Sequence, residues 1–144
     1  MRFDLNTLEK ALLSFNEAIQ CTEYPCPRTR LNPAQWRTMR AGVIHNFELC
    51  YELGWQSIRQ YLVLQEGEAA INTLGRKALF ELAEQKQVIQ NADVWYLFHQ
   101  SRNEITLTYD ELKADEIYQY ALEFFYEAQA LVHRLKLFQV SSSN

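Results

Sequence analysis

Apolar residues recur every three or four positions along nearly the whole chain, and no stretch alternates with the period of two that a strand needs. Leu5, Leu8, Leu12, Phe15 and Ile19 mark a first amphipathic helix. Asn6 and Glu9 fit a capping box at its start, and Pro25 and Pro27 predict its end near Gln20. Asn32-Pro33 then reads as an N-cap followed by proline at the first helical position. From there Trp36, Met39, Val43, Phe47, Tyr51, Gly54, Ile58 and Leu62 trace one face of a very long second helix. It closes at Glu66-Gly67 and spans roughly 50 Å at the usual rise per residue. Gly42 and Gly54 lie inside it, each costing about 1 kcal/mol against alanine, which predicts close helix approach or a break near Gly42. Thr73 is the expected cap of a third helix carrying Leu74, Ala78, Leu79, Leu82 and Ala83 and ending near Lys86. Asn91 or Asp93 caps a fourth with Val94, Trp95, Leu97, Phe98 and Ile105 inward. A fifth starts between Asp110 and Asp115 and carries Ile117, Tyr120, Ala121, Phe124, Phe125, Ala128, Leu131, Leu135 and Phe138.

This pattern predicts an all-α fold, a four- to five-helix up-and-down bundle, as one domain over residues 1–139 with a disordered tail over 140–144. Composition adds little beyond agreement: 144 residues suit a single core, and 4 glycines with 3 prolines are too few for a turn-dense β fold. A net charge of −4 argues against a general nucleic-acid coat. No apolar run reaches the ~18 residues of a membrane span and the N-terminus does not read as a signal peptide, so the expectation is a cytoplasmic protein. Cys21, Cys26 and Cys50 are an odd set without the spacing of a zinc site, and read as reduced thiols rather than a redox pair. Aromatics crowd the second and fifth helices, more than one core of this size is expected to cover, which predicts a homodimer.

Several clusters bear on chemistry. Glu48 and Glu52 sit one helical turn apart, but a di-metal bundle needs Glu-x-x-His on two helices, and His45-Asn46-Phe47-Glu48 reverses that order without a second copy. No metal or cofactor is therefore expected, and the carboxylates read as partners for a buried arginine, Arg102 being the obvious one. His99 and Asn103 share a helical face with Arg102 beside them, an arrangement in which Arg steadies a phosphate and His moves a proton. His133 lies in the last turns of the final helix. Arg28, Arg30, Arg37 and Arg40 surround Trp36, a pattern of either a nucleotide- or RNA-binding strip or a solvated basic edge. Finally, Arg102-Asn103 and Tyr109-Asp110 bracket Leu107, which can do no chemistry.

Residues Phe47-Glu48-Leu49-Cys50-Tyr51-Glu52-Leu53-Gly54-Trp55 resemble the second-helix signature of the nucleotidyltransferase substrate-binding proteins, Phe-Glu-x-x-x-Glu-x-x-Trp. Arg102-Asn103 followed by Thr108-Tyr109-Asp110 resembles their second signature, and the likeness spans roughly residues 3–137. The resemblance implies a bundle of the HEPN superfamily (higher eukaryote and prokaryote nucleotide-binding), a homodimer, and a minimal nucleotidyltransferase as partner in a toxin–antitoxin-like pair. In that family the toxin is an RNase whose motif maps here onto Arg102, Leu107 and Tyr109, with histidine expected where Leu107 stands. Tyr109 maps to the position where some partner transferases attach AMP. Gln56 replaces a common lysine. Leucine cannot move a proton, so the resemblance with this departure implies a non-catalytic partner subunit that binds through Arg102, Asn103, Tyr109, Asp110, Glu48, Glu52 and His99, with nucleotide or RNA as ligand class. An RNase toxin with a degenerate active site, using His99, and a free-standing helical adaptor are the alternatives.

Overall fold

Asn32 caps the longest helix by both halves of a capping box: its side chain accepts from the Gln35 backbone N–H at 2.8 Å, and its own N–H donates to Gln35 Oε1 at 3.0 Å. The computed structural model describes residues 5–23, 31–105 and 110–142, with side chains through 139. Among them the fold is all-helical: α1 (Asn6–Glu23), α2 (Pro33–Glu66), α3 (Glu68–Asn72), α4 (Arg76–Gln85), α5 (Ala92–Glu104) and α6 (Glu111–Ser142). No helix among the described residues is long and apolar enough to cross a membrane.

Six described helices replace the expected four to five because Glu68–Asn72 forms a short helix directly after Gly67. Gly67 takes φ 90°, a left-handed conformation that favours glycine, and its N–H bonds to the Val63 carbonyl at 2.8 Å. Thr73 therefore closes α3 instead of opening the next helix, and α4 starts from Gly75 without a side-chain cap. Asn91 caps α5, accepting from the Val94 N–H at 3.2 Å. α1 continues past Gln20 to Glu23, and α6 runs to Ser142, beyond the boundary expected at residue 139.

The two glycines of α2 divide. The helix is continuous through Gly42, where an added Cβ meets nothing within 4 Å. Gly54 marks a close approach, with Trp95 3.5 Å and Phe124 3.7 Å from where a Cβ would stand. Phe124 of α6 is the hub of the core, its ring lying 5.3 Å from Phe47, 5.3 Å from Trp95, 5.1 Å from Phe98 and 6.4 Å from Phe15. The pairs Glu9–Lys136, Phe15–Phe125 and Thr22–Tyr118 run in opposite senses along α1 and α6. Trp95 against Gly54 and Arg102 against Glu48 do the same along α5 and α2.

Two sequence expectations need correction here. Trp36 and Arg40 are not a surface strip. Trp36 is buried edge-on against Tyr118 at 5.2 Å, and Arg40 is buried with Glu111 and Asp115 each 2.9 Å away. Arg37 alone of that group is described and exposed; Arg28 and Arg30, like Cys26, lie outside the described residues. The aromatic surplus is also largely absorbed within the single chain: Phe47, Tyr51, Tyr118, Phe124 and Phe125 are all buried, Trp55, Tyr61 and Tyr120 are half-buried, and Tyr126 is exposed. The crowding of aromatics thus no longer argues for self-association.

Candidate functional site

Along α2, Glu48, Tyr51, Glu52 and Trp55 fall at i, i+3, i+4 and i+7, so helical periodicity places all four on one face. That face meets α5 and the first turn of α4. Tyr51 is buried, and its hydroxyl sits 2.9 Å from His99 Nδ1 of α5 and accepts from Arg76 Nη1 of α4 at 2.6 Å. Arg76 Nη1 also lies 3.1 Å from His99 Nδ1. The guanidinium is stacked on Trp55, its Cζ 3.7 Å from the ring centre, and the Trp55 indole N–H donates to Glu52 at 2.9 Å. On the other side of His99, Nε2 faces the Asn103 side-chain amide at 3.3 Å.

Arg76 cannot lose its protons, so it donates, and a donor beside Nδ1 requires that nitrogen to be an acceptor. Tyr51 then relays: its oxygen accepts from Arg76 and its O–H donates to His99 Nδ1. In the neutral ring the proton consequently sits on Nε2, and an N–H there pairs with the Asn103 amide only when that amide turns its oxygen, in place of the Nδ2 that stands 3.3 Å away, toward the ring. Burial, and next the Arg76 charge, push the His99 pKa below its ordinary value, so the ring is neutral at pH 7. The Tyr51 phenol is pushed up, by burial above all, and stays protonated.

Arg102 and Glu48 do face each other, as their residue types predict, but loosely. Their nearest atoms are 4.0 Å apart, both side chains are about a quarter exposed, and the buried Arg102 Nε has no hydrogen-bond partner among the described residues. Glu52 is not Arg102's partner; the Trp55 indole takes it. Asp110 has a structural task, accepting from the Leu112 N–H at 3.0 Å at the start of α6. It also lines a groove of about 340 Å³ with Arg37, Ile44, Glu48, Ile105 and Glu111, so the groove and the His99 cluster share Glu48 as a border. Leu107 and Tyr109 lie outside the described residues. His133 is exposed on α6, away from this cluster. Among the described residues no group of three or more His, Cys, Asp or Glu is gathered to hold a metal ion. Cys21 is exposed and free; Cys50 is free and buried, and burial pushes its thiol up to about 12, too high for a thiolate nucleophile.

Sequence reasoning placed Arg102, Asn103 and His99 on one face, and the structure brings Glu48 and Glu52 to it. It missed Arg76, and it read Tyr51 only as a core aromatic. Arg76 follows α2 by a turn and a short helix, and no periodicity links it to Tyr51. The available signal was the polar and aromatic stripe Glu48-Tyr51-Glu52-Trp55, which a purely apolar core face would not carry.

Comparison with known proteins bears on this cluster. A probable ribonuclease HepT of Haemophilus influenzae is 25% identical over 149 residues, covering 94% of this chain and 93% of the relative. A solved Haemophilus influenzae structure, described as the fold of a substrate binding domain of a nucleotidyltransferase, matches with a TM-score of 0.85 at 25% identity over 92% of this chain and 99% of that one. A crystal structure from Thermus thermophilus shares the fold, with a TM-score of 0.69 at 23% identity over 89% and 98% of the two chains. The family model described as nucleotidyltransferase substrate binding protein like matches residues 3–137. With that match spanning nearly all of its length, this chain belongs to the nucleotidyltransferase substrate binding protein like family.

Proposed function

We propose that this chain is the non-catalytic binding subunit of a two-component, toxin–antitoxin-like pair: an up-and-down HEPN-type bundle, homodimeric, that docks a minimal nucleotidyltransferase through the surface around Arg102 and Asn103. The observation that carries the reading is the state of His99. Leu107 stands where an RNase of this superfamily needs its histidine, which leaves His99 as the nearest substitute. Its Nδ1 lone pair is already taken by Tyr51 and Arg76, which leaves the proton of the neutral ring to its outward Nε2. A neutral imidazole presenting N–H is a hydrogen-bond donor. It is neither a base at that nitrogen nor, lacking the imidazolium charge, an effective general acid for a leaving group near neutral pH. Arg102, loosely paired and with its Nε unbonded among the described residues, retains binding capacity.

The test is to mix the full chain with a minimal nucleotidyltransferase encoded beside it and ATP, purify through one partner, and weigh this chain intact. Co-purification together with the added mass of AMP, mapped to Tyr109, is the expected result. A chain that neither co-purifies nor gains mass contradicts the pairing. A second reading, an RNase toxin with a degenerate active site, is favoured by the probable ribonuclease HepT among its relatives. It requires His99 to exchange its Nδ1 partners during catalysis.

A further inference from the structure

The arginines of this fold are neutralised to very different degrees. Arg40, the buried one, has two carboxylates at 2.9 Å, and Arg102 has one at 4.0 Å. Arg76 has no carboxylate within 4.0 Å among the described residues. Every group that holds it is neutral: the Tyr51 hydroxyl, the His99 ring and the face of Trp55. Those bonds use Nη1 alone. The Nε and Nη2 edge makes no hydrogen bond to a described residue, and neither atom is buried. A guanidinium clamped flat by three aromatic neighbours, with its forked edge open and its charge uncompensated, has lost its conformational freedom before any ligand arrives. It is preorganised for a two-oxygen anion.

The surroundings agree. Lys77, next along α4, stands 5.9 Å over the Tyr96 ring and has no carboxylate within 4.0 Å among the described residues. His99 Nε2 lies 3.3 Å from the Asn103 side-chain amide, and Arg102 lies one turn further along the same helix. Of the nearby carboxylates, Glu52 is held by the Trp55 indole and Glu48 faces Arg102. We infer that Arg76 is the centre of a phosphate-binding position at the junction of α2, α4 and α5, taking phosphoryl oxygens of a nucleotide or an RNA strand on its Nε/Nη2 edge, with the Asn103 amide and Lys77 as flanking donors. This position is separate from Arg102 and goes beyond the partner reading, since it operates on the isolated chain.

The experiment titrates the full chain, without any partner, with AMP by calorimetry and with a short fluorescent oligoribonucleotide by anisotropy, while the Trp55 indole N–H is followed by NMR. Binding of at least one probe is expected, with a Trp55 shift and an affinity that falls with salt. Arg76→Gln should weaken it by roughly tenfold or more, the usual range for losing charge-assisted hydrogen bonds. Arg76→Lys, which keeps charge and bulk but not the fork, should lose less, and Arg59→Gln, at an α2 arginine whose guanidinium bonds to Asn72 and not to this cluster, should bind as the wild type does. AMP binding identifies a nucleotide site; oligoribonucleotide binding alone identifies a strand. Absence of binding by both probes overturns the inference, as does binding that survives both Arg76 variants with wild-type circular dichroism. Neither outcome touches the pairing with a transferase, which is tested by co-purification.

Discussion

Burial and the adjacent Arg76 guanidinium both oppose a proton on His99, whose ring therefore titrates below its ordinary value of 6.5. The folded state then binds this proton more weakly than the unfolded chain does. Whatever stability the neutral ring contributes is present above about pH 6.5 and is lost as pH falls from there through the folded value. NMR titration of the His99 ring should find Nε2 protonated at pH 7 and a pKa below 6.5, and Arg76→Gln should move that pKa up. A pKa that Arg76→Gln leaves in place would remove Arg76 as a cause. Arg40 behaves differently. Burial works against its charge, but the bonds and charges of Glu111 and Asp115 outweigh that and raise its pKa. The two carboxylates are half and one-third exposed, so Arg40→Leu leaves them in water and should cost less than about 1.5 kcal/mol. Replacing both (Glu111→Gln with Asp115→Asn) strands a buried guanidinium and should cost about 3 kcal/mol in urea unfolding. Equal costs would show that Arg40 is solvated in the native state.

At the scale of elements, local chemistry was readable wherever the chain itself supplies the partner. Asn32-Pro33 and Gly67 fixed both ends of α2, because a cap is satisfied within a few residues. The start of α4 was not readable. Thr73 is a good cap by type, yet the unrecognised helix over Glu68–Asn72 takes it as its terminus. Trp36 and Arg40 misled for a tertiary reason: Tyr118, Glu111 and Asp115 lie some 70 residues or more downstream, and only packing of α6 on α2 shows that these two are buried. The same limit hid Arg76, whose partners come from α2 and α5. The continuity of α2 makes a clean prediction. Gly42 is free of neighbours, so Gly42→Ala should stabilise by about 0.5–1 kcal/mol, raising the melting temperature by roughly 2–4 °C. At Gly54 a methyl makes ordinary contact with Trp95 and Phe124, but Gly54→Leu must displace one of them and should destabilise by about 1–3 kcal/mol. A destabilising Gly42→Ala would mean that α2 does break there.

Taken as a whole, the molecule keeps its aromatic core and its polar cluster on opposite sides of the same residues. Phe47 and Phe98 pack on Phe124, while Glu48 and His99, one position on in each helix, turn toward the polar face with Arg76, Arg102 and Asn103. The core thus holds α2 and α5 in the register that sets the Tyr51–His99–Arg76 contact. Residue types alone pointed to a bundle and to Arg102, Asn103 and His99; the proton arrangement that argues against catalysis needed α4 to bring Arg76 into place. The proposed function requires a face that binds RNA or a partner and does not cut. The most direct measurement is cleavage of a labelled RNA by the purified chain with chelator present, compared with Arg102→Ala and His99→Ala. The wild-type chain is expected to show no turnover above the level of either variant. Cleavage by the wild type that disappears in both variants would contradict it and make His99 the proton-transfer group of a working ribonuclease.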